Sequence, residues 1–458
     1  MALGLIGSMA ATSFADESAL IDALVRKGVL KKGEAEQLRA QACKDCASDK
    51  LSGKVSLGES VSSLKLTGDL RMRYQYSNDQ ENAPANTSGS GTHNTGYRLR
   101  LRINADYKVD ENFFAGFGLA TKAGSQNAAG ADINTVGKRG QNDDRRSSDR
   151  DLANDYYSNY DIAINKAFIG WTPTPGVTLI AGKQENPFYT TDMVWGSEVY
   201  PAGFTQQIDL SKIFGLSGIG LKVNSGQFIV RNGDEDSGSN ISDPYKNNAN
   251  RDGFIWQTQL VASVDLGSSA KLTVAPGFYS SNGAASGYDI DGTPNPLTSN
   301  HLENMQIVLL PGDVSLDLGG QKAKFLWDFA YNLDGKNRSF NNPAITAKEN
   351  GTDQMAWLLG VQVGENKKKG DWSAEANYRH VGASAVDHLI TDADFAFGDV
   401  NASGFKFGFS YNVGNATTVG LNYYVVDNIR KEIGTRPGNN GDGSNSSQII
   451  QADVSLKF

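Results

Sequence analysis

The stretch YRLRLRINADY (residues 97–107) decides the fold, because its side chains alternate strictly in polarity. One face holds Tyr97, Leu99, Leu101, Ile103, Ala105 and Tyr107, and the other holds Arg98, Arg100, Arg102, Asn104 and Asp106. A period of two indicates a β-strand with one apolar and one polar face. The alternation exceeds the usual strand length of about five or six residues, and it suits a tilted strand that crosses a bilayer in about 9 to 11 residues.

The same alternation recurs along the chain. It is present in residues 64–76, 254–265, 323–332, 405–412 and 450–458, whereas residues 162–171 and 177–184 look like strands whose faces the pattern does not assign. We count sixteen strands, which begin near residues 64, 97, 112, 162, 177, 204, 218, 254, 271, 304, 322, 354, 372, 403, 418 and 448. The predicted fold class is therefore all-β, an antiparallel transmembrane β-barrel of about 16 strands.

The connections between these strands alternate in length. Short ones include residues 110–112, 173–176, 267–270, 367–370 and 414–417. Long ones, rich in Gly, Asn, Ser and Asp, include residues 77–96, 123–160, 232–253, 281–300, 335–352 and 428–447. Short turns on one side and long loops on the other are typical of outer-membrane barrels, with the periplasm on the short side. An even strand count then places both ends of the barrel in the periplasm.

The first 63 residues differ from the rest of the chain. Residues 1–15 are apolar and end in small residues, which predicts a secretory signal peptide; the missing basic segment indicates a start codon placed too far downstream, and a buried helix is the alternative. Residues 16–63 predict a periplasmic helical hairpin and linker, and residues 64–458 the barrel. Cys43 and Cys46 have the spacing of a redox pair or half a metal site, but without a second pair we favour a disulfide within or between chains.

The composition excludes several classes of protein. No stretch after the N-terminus supplies the roughly 20 consecutive apolar residues of a membrane-spanning helix, two cysteines cannot staple a disulfide scaffold, and a net charge of −8 argues against nucleic-acid binding. The four histidines, His93, His301, His380 and His388, are scattered, and no hydrolase or metalloprotease motif occurs. We therefore predict no enzyme, no metal and no cofactor, and a barrel hydrolase or a secreted β-sandwich is a weaker alternative.

Five arginines lie on the polar faces of the first two strands: Arg71, Arg73, Arg98, Arg100 and Arg102. A charge that faced lipid near the midplane would cost about 2 to 4 kcal/mol, so we expect these side chains to line the lumen. Rings or ladders of arginine favour anions in a pore. The alternative is that lumen carboxylates such as Asp69 and Asp106 neutralise the arginines and leave no selectivity.

The connection at residues 185–203 is more apolar than the other long connections. We predict that it folds into the barrel and narrows it, with its acidic residues opposite the arginines. The candidate residues of this constriction are Glu185, Phe188, Asp192, Trp195 and Glu198. One alternative is that the segment packs on the rim or against a neighbouring subunit. Its aromatic side chains also favour a second function, a substrate-selective channel for an oxyanion or a sugar.

Three segments resemble a large family of bacterial outer-membrane proteins, the putative porins. They are GKQENPFYTTDMVWGSEVYPAGF (residues 182–204), KFLWDFAYNLDG (residues 324–335) and DADFAFGDVNASGFKFGFSY (residues 392–411), and ALIDALVRKGVL (residues 19–30) is similar too. The sequence departs from the family pattern at Lys183, Gly196 and Ala202, where the family tends to carry Arg, Asp and Glu. The resemblance implies a diffusion channel and supplies no binding residues.

Together these features predict an outer-membrane porin of a Gram-negative bacterium, a water-filled channel for passive diffusion of small hydrophilic solutes with a preference for anions. The expected partners are outer-membrane lipid, the barrel-assembly machinery, the solutes and further copies of the chain in a homotrimer. Phe458 completes an alternating strand and resembles the terminal aromatic residue by which the assembly machinery recognises such barrels.

Overall fold

A computed structural model describes residues 61–79, 92–121, 150–151, 162–231, 253–282, 304–337, 353–387, 390–392, 394–398, 400–430 and 446–458. The predicted signal peptide, the helical hairpin and the Cys43–Cys46 pair lie outside these residues.

Sixteen antiparallel strands form one closed sheet in the part of the chain that the structure describes, as the alternation predicts. They are β1 (Ser63–Asp79), β2 (Thr92–Lys108), β3 (Phe113–Thr121), β4 (Ile162–Thr174), β5 (Val177–Lys183), β6 (Ala202–Asp209), β7 (Ile219–Arg231), β8 (Gly253–Asp265), β9 (Ala270–Val274 and Gly277–Asn282), β10 (Asn304–Leu309 and Gly312–Leu318), β11 (Gln321–Asn332), β12 (Met355–Gly364), β13 (Trp372–Val381), β14 (Ala402–Asn412), β15 (Thr417–Asn428) and β16 (Ser447–Lys457). A two-residue bridge, Arg150–Asp151, also pairs with β2. The largest difference from the predicted starts is at β2, which begins at Thr92 rather than near Tyr97.

The sheet closes because β1 pairs with both β2 and β16. At this seam the Gly68 N–H donates to the Phe458 carbonyl (2.8 Å), and the Phe458 N–H donates to the Gly68 carbonyl (3.0 Å). The Phe458 ring lies over Gly68, and a β-carbon at position 68 would overlap it. The seam therefore needs a residue without a side chain at this crossing.

Proline divides two neighbouring strands into halves. Pro276 lies between the two segments of β9, and Pro311 lies between those of β10. Proline has no N–H to donate to a neighbouring strand, so the ladder is interrupted at both points. The proline carbonyls still accept hydrogen bonds from the N–H groups of Leu260 (3.0 Å) and Ala275 (2.9 Å), which keeps the wall continuous.

The alternation along each strand separates lipid-facing from lumen-facing side chains. On β14 the outward residues Phe405, Phe407 and Phe409 are exposed, as a surface that contacts lipid requires. On β1 and β2 the polar residues Arg73 and Arg100 are buried inside. The apolar faces predicted from the sequence are thus the outer surface of the barrel.

A short helix, α1 (Leu210–Phe214), connects β6 to β7. Asp209 caps its first turn by accepting a hydrogen bond from the Lys212 N–H (3.0 Å), and Gly215, in the left-handed conformation with φ of 64°, ends it. No helix among the described residues is both long enough and apolar enough to cross a bilayer.

Candidate functional site

The pairing of β1 with β2 brings the five predicted arginines onto one patch of the inner wall. Arg71 lies opposite Arg100, and Arg73 lies opposite Arg98, while Arg102 lies opposite Asp69. We call Arg71, Arg73, Arg98, Arg100 and Arg102 the arginine cluster. Side chains that share one face of two adjacent strands lie close together, so the cluster concentrates positive charge on one sector of the lumen.

Carboxylates of the barrel wall and of the segments inside it contact the arginine cluster. Asp69 accepts from Arg100 (3.0 Å) and from Arg102 (2.6 Å), and Glu198 of the connection between β5 and β6 contacts both of these arginines. Arg73 binds Asp453 on β16 (2.7 Å) and Asp394 (3.2 Å). The cluster is therefore largely paired.

The pKa of Asp394 responds to the positive charge of the arginine cluster. Burial by itself would raise the pKa of this carboxyl, but the nearby positive charges of Arg73 and Arg98 hold the pKa below its ordinary value. Asp106, the second carboxylate expected to neutralise the arginines, instead contacts Lys166 on β4 (3.7 Å). Neutralisation thus comes from Asp69 and from partners distant in the sequence.

The connection between β5 and β6 folds inside the barrel. We call its residues 184–201 the first loop. Trp195 retains 1% of its exposure, and Phe188 retains 7%. The Trp195 Nε1–H donates to Gln257 Oε1 of β8 (2.8 Å), and the rings of Phe188 and Trp195 pack on Phe228 of β7, with centroids 6.2 and 6.0 Å away. Aromatic packing and a satisfied indole N–H anchor the loop to this wall.

Polar contacts of the first loop reach several strands. The Tyr189 hydroxyl donates to Asp313 of β10, and burial together with that carboxylate raises the pKa of Tyr189. The Thr191 hydroxyl donates to Asp328 Oδ2 of β11 (2.7 Å), while Glu198 contacts the arginine cluster on β1 and β2. The first loop therefore contacts strands on opposite sides of the barrel, β1 and β2 on one side and β10 and β11 on the other. It crosses the lumen between them.

The predicted acidic residues of the first loop have different neighbours. Glu198 alone among them has a described contact with the arginine cluster, whereas Glu185 binds Lys166 (3.1 Å). Asp192 lies near Asp392 and the cations Arg379 and Lys406. Burial and the Asp392 carboxylate raise the pKa of Asp192. The prediction that all three face the arginines therefore needs correction for Glu185 and Asp192.

A second loop, made of residues 382–387, 390–392, 394–398 and 400–401, packs against the first loop, and the sequence pattern did not predict it. The Gly196 N–H donates to the Ile390 carbonyl (2.6 Å), and the Thr391 hydroxyl donates to the Met193 carbonyl (2.8 Å). The buried side chains of Ile390 and Phe395 join the same apolar cluster as the first loop. In the part of the chain that the structure describes, two loops rather than one thus occupy the lumen.

A buried ion pair joins the second loop to the barrel wall. Arg379 of β13 binds Asp392 (2.9 Å), and its guanidinium lies 4.9 Å from the centre of the Phe395 ring. A buried arginine needs such a partner, because an unpaired charge in this position is strongly destabilising. Arg379 therefore positions the second loop.

Two of the four aromatic side chains of the first loop are not available to solutes, whereas Tyr189 and Tyr200 keep partial exposure. Phe188 and Trp195 face the apolar cluster, so they offer no stacking surface for a sugar. Among the described residues, no group of His, Cys, Asp and Glu is arranged to hold a metal ion.

Residues 50–295 and 313–458 match the protein family described as "Putative porin". Among solved structures, OprB of Pseudomonas putida is similar at 12% identity over 86% of this chain and 94% of that chain, with a TM-score of 0.50. OmpF of Salmonella typhi is similar at 10% identity over 88% of this chain and 100% of that chain, with a TM-score of 0.44. OmpT of Vibrio cholerae is similar at 10% identity over 89% of this chain and 100% of that chain, with a TM-score of 0.44. No curated protein sequence matches the chain. At this identity the likeness to OprB shows a shared fold.

Proposed function

Because this chain belongs to the putative porin family and forms an outer-membrane porin channel, we propose that small hydrophilic solutes diffuse through its lumen with a mild preference for anions. The observation that carries this preference is the arginine cluster, which places five guanidinium groups on one sector of the lumen wall. Five guanidinium groups on one sector favour anions, and the carboxylates that contact them keep this preference mild.

The position of the loops supports a diffusion path along the arginine cluster. A barrel of sixteen strands encloses an aqueous channel, but here the apolar sides of both loops close the lumen against Phe228, Ile255 and Leu358. Arg71, Arg98 and Arg102 keep partial exposure. Water and solutes therefore pass where charged side chains line the wall, and the first loop narrows that passage.

Reversal potentials in planar bilayers test the preference. We expect the wild type to prefer anions and the double variant Arg98→Ala plus Arg100→Ala to lose this preference. Lys222→Ala is the matched control, because Lys222 is an exposed cation on β7 whose described ion pair is with Asp209 rather than the cluster. A cation-preferring wild type, or equal potentials in the wild type and the double variant, would exclude the proposal.

The burial of Phe188 and Trp195 removes two of the four aromatic rings that would favour a substrate-selective channel. We therefore propose general diffusion, with no catalytic role. Liposome swelling with sugars of graded size measures this directly. Rates that decrease smoothly with solute size are expected, and a sharp preference unrelated to size would contradict general diffusion.

For the assembled protein we propose a homotrimer in outer-membrane lipid, with the short turns and both ends of the barrel in the periplasm. We also propose that the barrel-assembly machinery recognises Phe458, which completes the seam with Gly68. Electrophoresis of unheated protein in mild detergent measures the number of copies, and a monomer in every condition would contradict the trimer.

A further inference from the structure

One sector of the lipid-facing surface carries polar side chains. On β14 the outward residues from 405 to 411 are all aromatic, which is the ordinary pattern for a surface in contact with lipid. On β6, β7 and β8 the outward positions instead include amides and hydroxyls. We use the name polar patch for five of these residues: Gln206, Ser225, Gln227, Trp256 and Thr258.

The strand register shows that these residues face outward. Ser225 lies opposite Gln206 on one side and opposite Thr258 on the other, and Gln227 lies opposite Trp256. Trp256 is 47% exposed, whereas Gln257 next to it is fully buried in the lumen. Alternation then places the whole polar patch on the lipid side.

The residues of the polar patch are joined by hydrogen bonds. The Gln206 Nε2–H donates to Gln227 Oε1 (2.8 Å), and the Gln227 Nε2–H donates back to Gln206 Oε1 (3.2 Å). The hydroxyls of Ser225 and Thr258 are 3.0 Å apart, and the Trp256 Nε1–H donates to Ser225 (3.4 Å). Each amide has two N–H donors and two acceptor lone pairs, so this network uses only part of its capacity.

Ser225, with Gln206 and Thr258 opposite it, lies well inside the membrane. Ser225 is six residues from Ile219, the first residue of β7. At about 3.4 Å per residue and a tilt of about 40°, this distance is about 15 Å along the membrane normal, in an apolar band about 25 Å tall. Hydrocarbon cannot satisfy hydrogen-bonding groups, so amides that face lipid at this depth are unfavourable.

We propose that a second copy of this chain covers the polar patch, which places the contact between copies on β6, β7 and β8. Amides and hydroxyls are both donors and acceptors, so they can pair with the same groups of the other copies where the polar patch lies next to the threefold axis of the trimer. The polar patch is uncharged, so it needs no partner of opposite charge. The apolar side chains of Phe204 and Leu260 flank it and supply hydrophobic contact. This inference rests on the proposed homotrimer and adds where its interface lies.

Cross-linking in the membrane tests the position of the interface. In a chain with Cys43→Ser and Cys46→Ser, we expect Ser225→Cys to give covalently linked copies with a short bis-maleimide. The matched control is Leu421→Cys, which lies on the outward face of β15 and is 49% exposed. We expect no cross-linked species for the control.

Apolar substitution supplies a second measurement. Gln206→Leu plus Gln227→Leu is expected to weaken association about tenfold (about 1.4 kcal/mol) in mild detergent, because the side-chain amides lose their hydrogen bonds to the other copies. Light scattering gives the number of copies independently. A trimer that cross-links only through position 421, or whose association the double substitution leaves unchanged, overturns the interface and keeps the trimer. A monomer in every condition overturns both.

Discussion

Glu198→Gln is the substitution that most directly tests how the arginine cluster sets selectivity. Glu198 contacts Arg100 and Arg102, which otherwise share Asp69. Glutamine keeps the shape of the side chain and removes its negative charge. The cluster then gains one unit of positive charge at the point where the first loop meets the wall, so anion preference should increase.

The size of this increase follows from Coulomb's law. A unit charge about 6 Å from the path of an ion changes the energy of that ion by about 0.7 kcal/mol in water. Screening at about 0.1 M salt lowers this value to about 0.4 kcal/mol. An anion gains about twofold in permeability and a cation loses about twofold, so the ratio of the two permeabilities should rise about fourfold.

The assay is the reversal potential across a planar bilayer under a salt gradient. Glu185→Gln is the matched control, because it removes the same charge from the same loop at a side chain that binds Lys166 instead of the arginines. Retained heat-modifiable migration in electrophoresis confirms that each barrel is folded. No shift in Glu198→Gln, or an equal shift in the control, would refute the assignment of selectivity to the cluster.

Three further substitutions test the loops. Trp195→Ala should lower the free energy of unfolding by about 3 to 5 kcal/mol and raise single-channel conductance; unchanged conductance would contradict the narrowing role. Arg379→Met leaves Asp392 buried without its ion-pair partner, so the free energy of unfolding measured in urea should decrease by about 3 to 5 kcal/mol. A decrease below about 1 kcal/mol would contradict the positioning role of Arg379. Burial and Asp392 raise the pKa of Asp192, so its stabilising contribution is complete below its ordinary pKa of 3.8 and is lost as the pH rises through the raised value. Asp192→Asn should therefore raise the unfolding temperature more at pH 7 than at pH 4, and equal increases would contradict this sign.

The strands were predictable because their signal is local. Strict alternation in β2 and β14 reports which side chains contact lipid, and this requires no knowledge of neighbouring strands. The faces of β4 could not be assigned from the pattern. Its register against β3 shifts between Gly118 and Leu119, so that Asn165 has no partner residue and the alternation changes phase there.

The partners of the site were less predictable because they are distant in the sequence. Arg73 and Asp453 are 380 positions apart, and the Thr391 hydroxyl bonds a carbonyl 198 positions away. The second loop has no regular spacing of apolar residues, since it packs against another loop rather than along a strand or helix. The sequence also does not predict what contacts the outer surface. The alternation predicts that the Thr258 side chain faces outward, but it does not predict which molecule covers that side chain.

The Arg73–Asp453 pair also has a consequence for the order of folding. Closing a chain segment of 380 positions costs about 5 kcal/mol in loop entropy, so contacts across the seam form late. Arg73 binds Asp394 of the second loop as well, so one side chain joins the seam to the lumen. An open, partly folded sheet would hold β1 and β16 apart and would lack this arrangement. The charges that act on a passing ion are thus assembled in the step that closes the wall, and a chain that stops short of closure has no selective passage.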